Sequence, residues 1–484
     1  MRRIAPLFLS GVVALAACSD DHSPLAPAES VPSFSESGAP DTYLVRFHGA
    51  GVPADFAAQV ASLGGEVVFA HEVGVAAVSG LSGAAADQLA TLSSVAAVDA
   101  DGYTELEPAT GSEVEPVEAS EPTSPANPAT ALRYPRQWNL QVVQANAAWA
   151  AGKLGSSGVR VGILDTGIDY LHPDLVGRVD LAASRSFLSA AENARVQAIF
   201  PGAHTIADLY YHGTHVAATV ASNAYLAAGV TSGVKLVGLK VCTPGTAPSF
   251  RASCPSSAVL GAILYAADNG IPIINMSLGG GFNRTAASAR GGDAPSFLAT
   301  INQVMTYANR KGTTIVVSAG NSAIDMDHNG NQYLSYCNSP HVICVSATGP
   351  TGAAGVNGPW TNIDALASYS NYGRSAVTFA APGGNAVSVT AACSGFTIIP
   401  SILVCRNRFF NSPTSWSAFT VGLSGTSMAS PHVSGLAALI ASEGVTGPAQ
   451  IHARLQHGAD DLGEPGVDPA YGHGRINVAK TLGL

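Results

Sequence analysis

Positive charge is scarce in this chain. Lysine and arginine number 23 against 33 aspartate and glutamate, for a net charge of −10, and no basic stripe gathers them, which excludes nucleic acid as a partner. Beyond the N-terminus no segment reaches the roughly 18 uninterrupted apolar residues that a membrane-spanning helix needs. Charged residues make up only 12% of the sequence and hydrophobic residues 47%, ample material for a large core. A chain of 484 residues is too long for one compact domain to account for all of it, so two or three regions are expected.

Residues 1–18 read as an export signal. Met1-Arg2-Arg3 is a positive start, and the apolar run Ile4 to Ala17 is too short to span a bilayer. It closes as Leu15-Ala16-Ala17-Cys18, which resembles a bacterial lipobox. The resemblance implies lipidation of Cys18, with plain secretory cleavage as the alternative, and makes the polar, Pro-rich stretch 19–40 a tether. Residues 41–106 form a separate module: strand Asp41–Phe47, helix Ala54–Leu63, strands Glu66–Phe69 and Gly74–Val78, helix Ser82–Leu92, and a last strand near Val95–Asp99. That β-α-β-β-α-β order predicts a ferredoxin-like α+β fold. Residues 107–132, rich in proline and glutamate, read as a disordered acidic linker. The large domain occupies 133–484.

Three segments of that domain carry chemistry. Gly425-Thr426-Ser427-Met428-Ala429 is a glycine turn that delivers a serine to the first turn of an apolar helix. Free N–H groups and the positive end of the helix dipole favour an anion forming there. Val161-Gly162-Ile163-Leu164-Asp165-Thr166-Gly167 is a buried strand ending in an aspartate, and strand ends are where open α/β sheets place their chemistry. Tyr211-His212-Gly213-Thr214-His215 opens a helix with a histidine. A serine hydroxyl needs an imidazole to take its proton and a buried carboxylate to orient that imidazole. Asp165, His212 and Ser427 supply the set. The serine lacks the Gly-x-Ser-x-Gly elbow of α/β-hydrolases, and no glutamate follows His212 as in His-Glu-x-x-His metalloproteases.

These blocks, in the order Asp, His, Ser, resemble the subtilisin-like serine proteases, or subtilases. Ala319-Gly320-Asn321, Asn275 to Gly280, Ala367 to Gly373 and Ala380-Ala381-Pro382-Gly383 extend the likeness over about 133–484. It implies a three-layer α/β/α domain with a mainly parallel sheet, and endopeptidase activity through an acyl-enzyme. It makes Asn321 an oxyanion donor, and Ser277, Leu278, Gly279 and Ser318, Ala319, Gly320 the walls of the cleft. No acidic residue stands in those walls, so a hydrophobic side chain is expected before the scissile bond. His215, His172 and His432 fall at positions that look structural. Residues 41–106 resemble the inhibitory propeptide that precedes such domains, which implies a self-processed zymogen acting on protein or peptide substrates, exported from a bacterial cell, monomeric, and membrane-bound only through a lipid anchor.

Two expectations concern stabilising groups. The chemistry needs no cofactor, but Asp325, Asp327 and Asn329 place oxygens at alternating positions before Gly330. That resembles the opening of a calcium loop without its distal glutamate; an exposed Asx-rich turn is the alternative. Seven cysteines leave six after Cys18. Six allow 15 pairings, and their clustering favours Cys242–Cys254, Cys337–Cys344 and Cys393–Cys405, in keeping with an exported chain.

Overall fold

The computed structural model describes residues 41–106, 110–118, 126–247, 250–279, 281–284, 294–333, 335–402, 405 and 417–484. Cys18 and the expected signal and tether lie outside these residues.

The N-terminal module consists of β1 (Tyr43–Phe47), α1 (Phe56–Ser62), β2 (Glu66–His71), β3 (Val75–Ser79), α2 (Gly83–Ala90) and β4 (Val95–Ala100), with sheet order β2-β3-β1-β4 and every pairing antiparallel. Alternate residues of β1 face two cores. Tyr43, Val45 and Phe47 pack with Phe56, Val60 and Leu89 inside the module, while Leu44 joins the core of the large domain. Two further strands leave the module, β5 (Tyr103–Leu106) and β6 (Thr110–Glu118).

The large domain is built on a seven-stranded sheet. Its strands are β7 (Arg160–Asp165), β8 (Arg185–Ser186), β9 (Lys235–Lys240), then, after β10 (Ala252–Pro255) of a separate small sheet, β11 (Ile273–Met276), β12 (Thr314–Ser318), β13 (Val342–Thr348) and β14 (Phe379–Pro382). The order is β14-β13-β12-β11-β7-β9-β8, and each pair is parallel. Helices flank it: α3 (Ala190–Ile199), α4 (His212–Val220), α5 (Ser256–Asp268), α6 (Ala294–Arg310) and α7 (Thr426–Ser442). Parallel strands covered on both faces read as continuous apolar runs, and β11 and β12 are buried at every position. Helix α7 is buried almost throughout and packs on α4 and the sheet. Gly435 permits the approach, because a Cβ there would lie 2.6 Å from the side chain of Val230. Two antiparallel strands, β15 (Val389–Ala392) and β16 (Ser417–Ser424), lead into α7.

The stretch expected to be a disordered linker is ordered in part. Strand β6 pairs antiparallel with β16, from Ser417 opposite Glu118 to Ser424 opposite Thr110. Composition misled here because β16 offers a free backbone edge, and an edge recruits a strand through main-chain hydrogen bonds whatever the charge of its side chains. Strand β5 pairs in the same way with β10, Leu106 opposite Ala252 and Tyr103 opposite Pro255. The three disulfides are Cys242–Cys254, Cys337–Cys344 and Cys393–Cys405.

Candidate active site

Asp165 ends β7 and is fully buried. His212 is the first residue of α4, and its Nδ1 lies 2.8 and 3.0 Å from the two oxygens of Asp165. Gly213 makes this approach possible, since a Cβ there would sit 2.2 Å from the carbonyl oxygen of Gly167 and 3.1 Å from Asp165 Oδ1. Burial works against a charged His212, but the adjacent Asp165, with Asp208 behind it, holds its pKa above the ordinary imidazole value. The carboxylate therefore fixes Nδ1 as the protonated nitrogen and leaves Nε2 as the acceptor.

Ser427 is the second residue of α7 and is half-buried. Its hydroxyl donates to the carbonyl of Ser277 at 3.3 Å, so the nucleophile–base hydrogen bond is not made in this state, as is common without substrate. Asn321 follows β12. Its Oδ1 accepts from the N–H and the hydroxyl of Thr426, both at 2.8 Å, while the Thr426 hydroxyl accepts the N–H of Gly320 at 3.0 Å. These bonds fix the amide's orientation and turn its Nδ2 toward Gly425, 3.5 Å from where a Cβ on that glycine would lie.

Of the residues expected to wall the cleft, Ser277, Leu278, Ser318 and Ala319 are buried. Ser277 has a different task. Pro431, inside α7, has no N–H for the carbonyl of Ser427; the Ser277 hydroxyl donates to that carbonyl instead, at 2.7 Å. The same oxygen accepts from Asn275 Nδ2 and the Ser430 hydroxyl, each at 2.8 Å. Between the two walls sits Ser335, which sequence reasoning missed: it contacts Gly279 and donates to the Ser318 carbonyl at 2.9 Å.

The other histidines are structural. His215 bonds the carbonyl of Val389 at 3.0 Å, and burial pushes its pKa down to about 3. His432 bonds the carbonyl of Met428 at 2.8 Å, with burial pushing it down to about 4. His172 Nε2 bonds the carbonyl of Phe419 at 3.0 Å while its Nδ1 takes the N–H of Asp174 at 3.1 Å.

The residues of the calcium-loop expectation form a hydrogen-bonded turn. Asp327 turns its oxygens to the N–H groups of Arg374 (2.7 Å) and Ser375 (3.1 Å) and to the Ser375 hydroxyl. Asp325 accepts from the N–H of Asp327 at 2.9 Å and pairs with His328 at 2.8 Å, and Asn329 points to the carbonyl of Gln332. Bonds of this kind to N–H donors are those of an Asx turn. Among the described residues no group of three or more His, Cys, Asp or Glu converges as a metal site. Asp174 likewise accepts three backbone N–H groups, those of Tyr225, Leu226 and Ala227, at 2.8–3.1 Å.

Residues 156–474 match the Subtilase family. This chain belongs to the subtilase family. Subtilisin DY of Bacillus licheniformis is 31% identical over 346 residues, 70% of this subtilase and 96% of that protein. Thermitase of Thermoactinomyces vulgaris is 29% identical over 353 residues, 72% of this chain and 96% of its own. The thermophilic serine proteinase of Bacillus sp. (strain AK1) is 31% identical over 344 residues, 70% of this chain but 65% of that longer protein. Among solved structures, the epidermin leader peptide processing serine protease of Staphylococcus aureus superposes with a TM-score of 0.65 at 21% identity, covering 92% of this chain and 98% of that one; at that identity the likeness concerns the fold. The subtilase is a serine protease, and its reaction is the hydrolysis of peptide bonds. Among the described residues no helix is long and apolar enough to cross a membrane.

Proposed function

We propose that this subtilase is an exported serine endopeptidase made as a self-processing zymogen. Ser427 attacks the peptide carbonyl, and His212 Nε2 takes its proton and returns it to the leaving amine. Asp165 holds the imidazole's tautomer and orientation and stabilises the imidazolium. The oxyanion lies between Asn321 Nδ2 and the N–H of Ser427, one of the first-turn amides that a helix leaves open. The observation that carries the reading is the buried His212–Asp165 pair at 2.8 Å, with His212 on a helix packed against the one whose first turn holds Ser427. A fluorophosphonate probe tests it: the wild type is labelled at Ser427 and Ser427→Ala is not. An unlabelled but folded wild type would overturn it.

The N-terminal module supports self-processing. It docks on α5 and α6 through His71–Asp268 (2.8 Å), Tyr307–Glu72 (2.9 Å) and Asp101, which accepts the N–H of Ser257 at 2.9 Å at the start of α5. From there two strands, β5 and β6, pair with strands of the large domain. Leu106 lies opposite Ala252, and the neighbouring Cys254 is bridged to Cys242, whose N–H bonds the Asp165 carbonyl at 3.2 Å. Thr110 lies opposite Ser424, three residues before Ser427. Leu106 and Thr110, one beside the disulfide next to Asp165 and the other beside Ser424, are four residues apart, a reach of at most about 14 Å. The reading places the maturation bond between Leu106 and Thr110. Intact mass of the mature wild-type enzyme checks this; a mature chain beginning beyond Glu118 would overturn the placement while leaving the protease reading intact. The signal 1–18, lipidated at Cys18, supplies export, and cleavage after Leu106 separates the enzyme from that anchor.

A further inference from the structure

Among the fully buried carboxylates that the mechanism leaves unused, Asp208 holds the most bonds next to the catalytic pair. Asp208, four residues before His212, accepts five hydrogen bonds. Its Oδ1 takes the Thr166 hydroxyl at 2.8 Å and the N–H groups of Tyr210 and Tyr211, each at 3.0 Å. Its Oδ2 takes the N–H and the hydroxyl of Thr214 at 2.9 and 2.6 Å. The donors come from both halves of the catalytic pair: Thr166 adjoins Asp165, and Thr214 lies in the first turn of the His212 helix. Both hydroxyls already accept a backbone N–H, Thr166 from Gly213 at 2.9 Å and Thr214 from Asp169 at 3.0 Å. Each therefore has its own proton to give, and Asp208 stands as the ionised acceptor.

The backbone it holds is strained. Tyr211 has φ 139, a conformation side-chain-bearing residues rarely adopt, immediately before His212. Such a residue persists only where its surroundings over-determine it. Here the Cys393–Cys405 loop adds bonds from Ser394, Thr397 and Ile398 to the carbonyls of Asp208, Tyr210 and Leu209. Lys240 adds another to the carbonyl of Ala207 at 2.7 Å.

We infer that Asp208 is a positioning residue for the catalytic histidine, tying the Asp165 turn to the start of α4 so that the imidazole meets the carboxylate. The inference rests on the reading of His212 as the general base. The titratable groups around the cluster are Asp165 and Asp169 after β7, Tyr210 and Tyr211 beside Asp208, His212 and His215 on α4, and Lys240 at the end of β9; Asp208 and Asp165 both favour a protonated His212.

The test is Asp208→Asn in the full-length enzyme, with rates expressed per active site titrated by the fluorophosphonate. The variant amide keeps the shape but turns an N–H₂ toward N–H donors. We expect kcat to fall about 10²-fold, the scale of a small misplacement of a reacting group, with KM within about twofold. The acid limb of kcat/KM should also move to lower pH, since one of two carboxylates that hold the imidazolium is gone. Loss of folded enzyme alone would lower the titre and leave both readouts unchanged, and that outcome overturns the inference. If Asp208→Asn does not fold, Thr166→Val against Thr166→Ser decides. A fall in kcat with valine that serine restores supports the tie, and an unchanged kcat with valine overturns it. A folded wild type that is neither labelled nor active would refute the assignment of Ser427 and His212 instead.

Discussion

Pro431 and Ser277 are 154 residues apart yet share one carbonyl oxygen, and this makes a quantitative prediction. In Ser277→Ala the Ser427 carbonyl loses its donor and Asn275 Nδ2 loses its acceptor, while Ser430 can turn its hydroxyl to a carbonyl one turn back. Each buried group left unpaired costs about 1–3 kcal/mol, so the substitution should cost about 2–6 kcal/mol. Pro431→Ala supplies the N–H that an unbroken helix would aim at the Ser427 carbonyl. In that background Ser277→Ala should cost less, by about 1–2 kcal/mol, because only the Asn275 amide is then orphaned. At about 2.1 cal/mol/K per residue the unfolding entropy of this large domain is roughly 0.7 kcal/mol/K, so the coupling appears as about 1.5–3 °C in Tm. The four chains are compared by thermal unfolding in a Ser427→Ala background, which keeps the carbonyl and suppresses self-digestion. Equal costs of Ser277→Ala in the proline and alanine backgrounds would refute the compensation.

Three further outcomes follow from the site. Asn321→Ala should lower kcat by about 10²–10³, the magnitude seen for the corresponding asparagine of subtilisin, with KM nearly unchanged; a rise confined to KM would reassign Asn321 to ground-state binding. A protonated His212 cannot accept the serine proton, and although burial lowers its pKa most, the charge and hydrogen bond of Asp165 together with the charge of Asp208 leave it raised. The kcat/KM profile should therefore fall as pH drops through a value above the ordinary ~6.5 of imidazole, and a limb below that value would contradict the geometry. Asp327→Ala removes the acceptor for the Arg374 and Ser375 amides and should lower Tm equally in calcium buffer and in excess chelator; a loss seen only with calcium present would restore the metal reading.

Each residue of the proposed catalytic set carries its own local signal in the sequence. A buried β-branched run ends at Asp165, a glycine lets the helix at His212 close on it, and a glycine turn opens the helix at Ser427. The same holds for the N-terminal module, whose helical and alternating spacings fall close to the observed elements, and for the cysteines, whose partners are their neighbours. The calcium expectation rests on a local pattern of alternating oxygens at Asp325, Asp327 and Asn329, which does not reveal that Asp327 accepts the amides of Arg374 and Ser375, 47 and 48 residues away.

What could not be read is the layer that supports the triad, because its partners are distant in the chain and individually ordinary. Ser277 looks like a cleft wall until Pro431 removes the N–H that would otherwise serve Ser427. Thr426 looks like filler in a serine motif until its N–H and hydroxyl are seen to aim Asn321. Asp208 looks like a loop residue until five donors from two elements converge on it. The linker follows the same logic: its composition describes how residues 110–118 behave alone, whereas their pairing depends on the unfilled edge of a strand some 300 residues later. Local chemistry names the reacting groups, and long-range hydrogen bonds decide whether they meet. The sharpest tests of this enzyme are therefore substitutions such as Ser277→Ala and Asp208→Asn, which leave every triad atom in place and change only what holds it there.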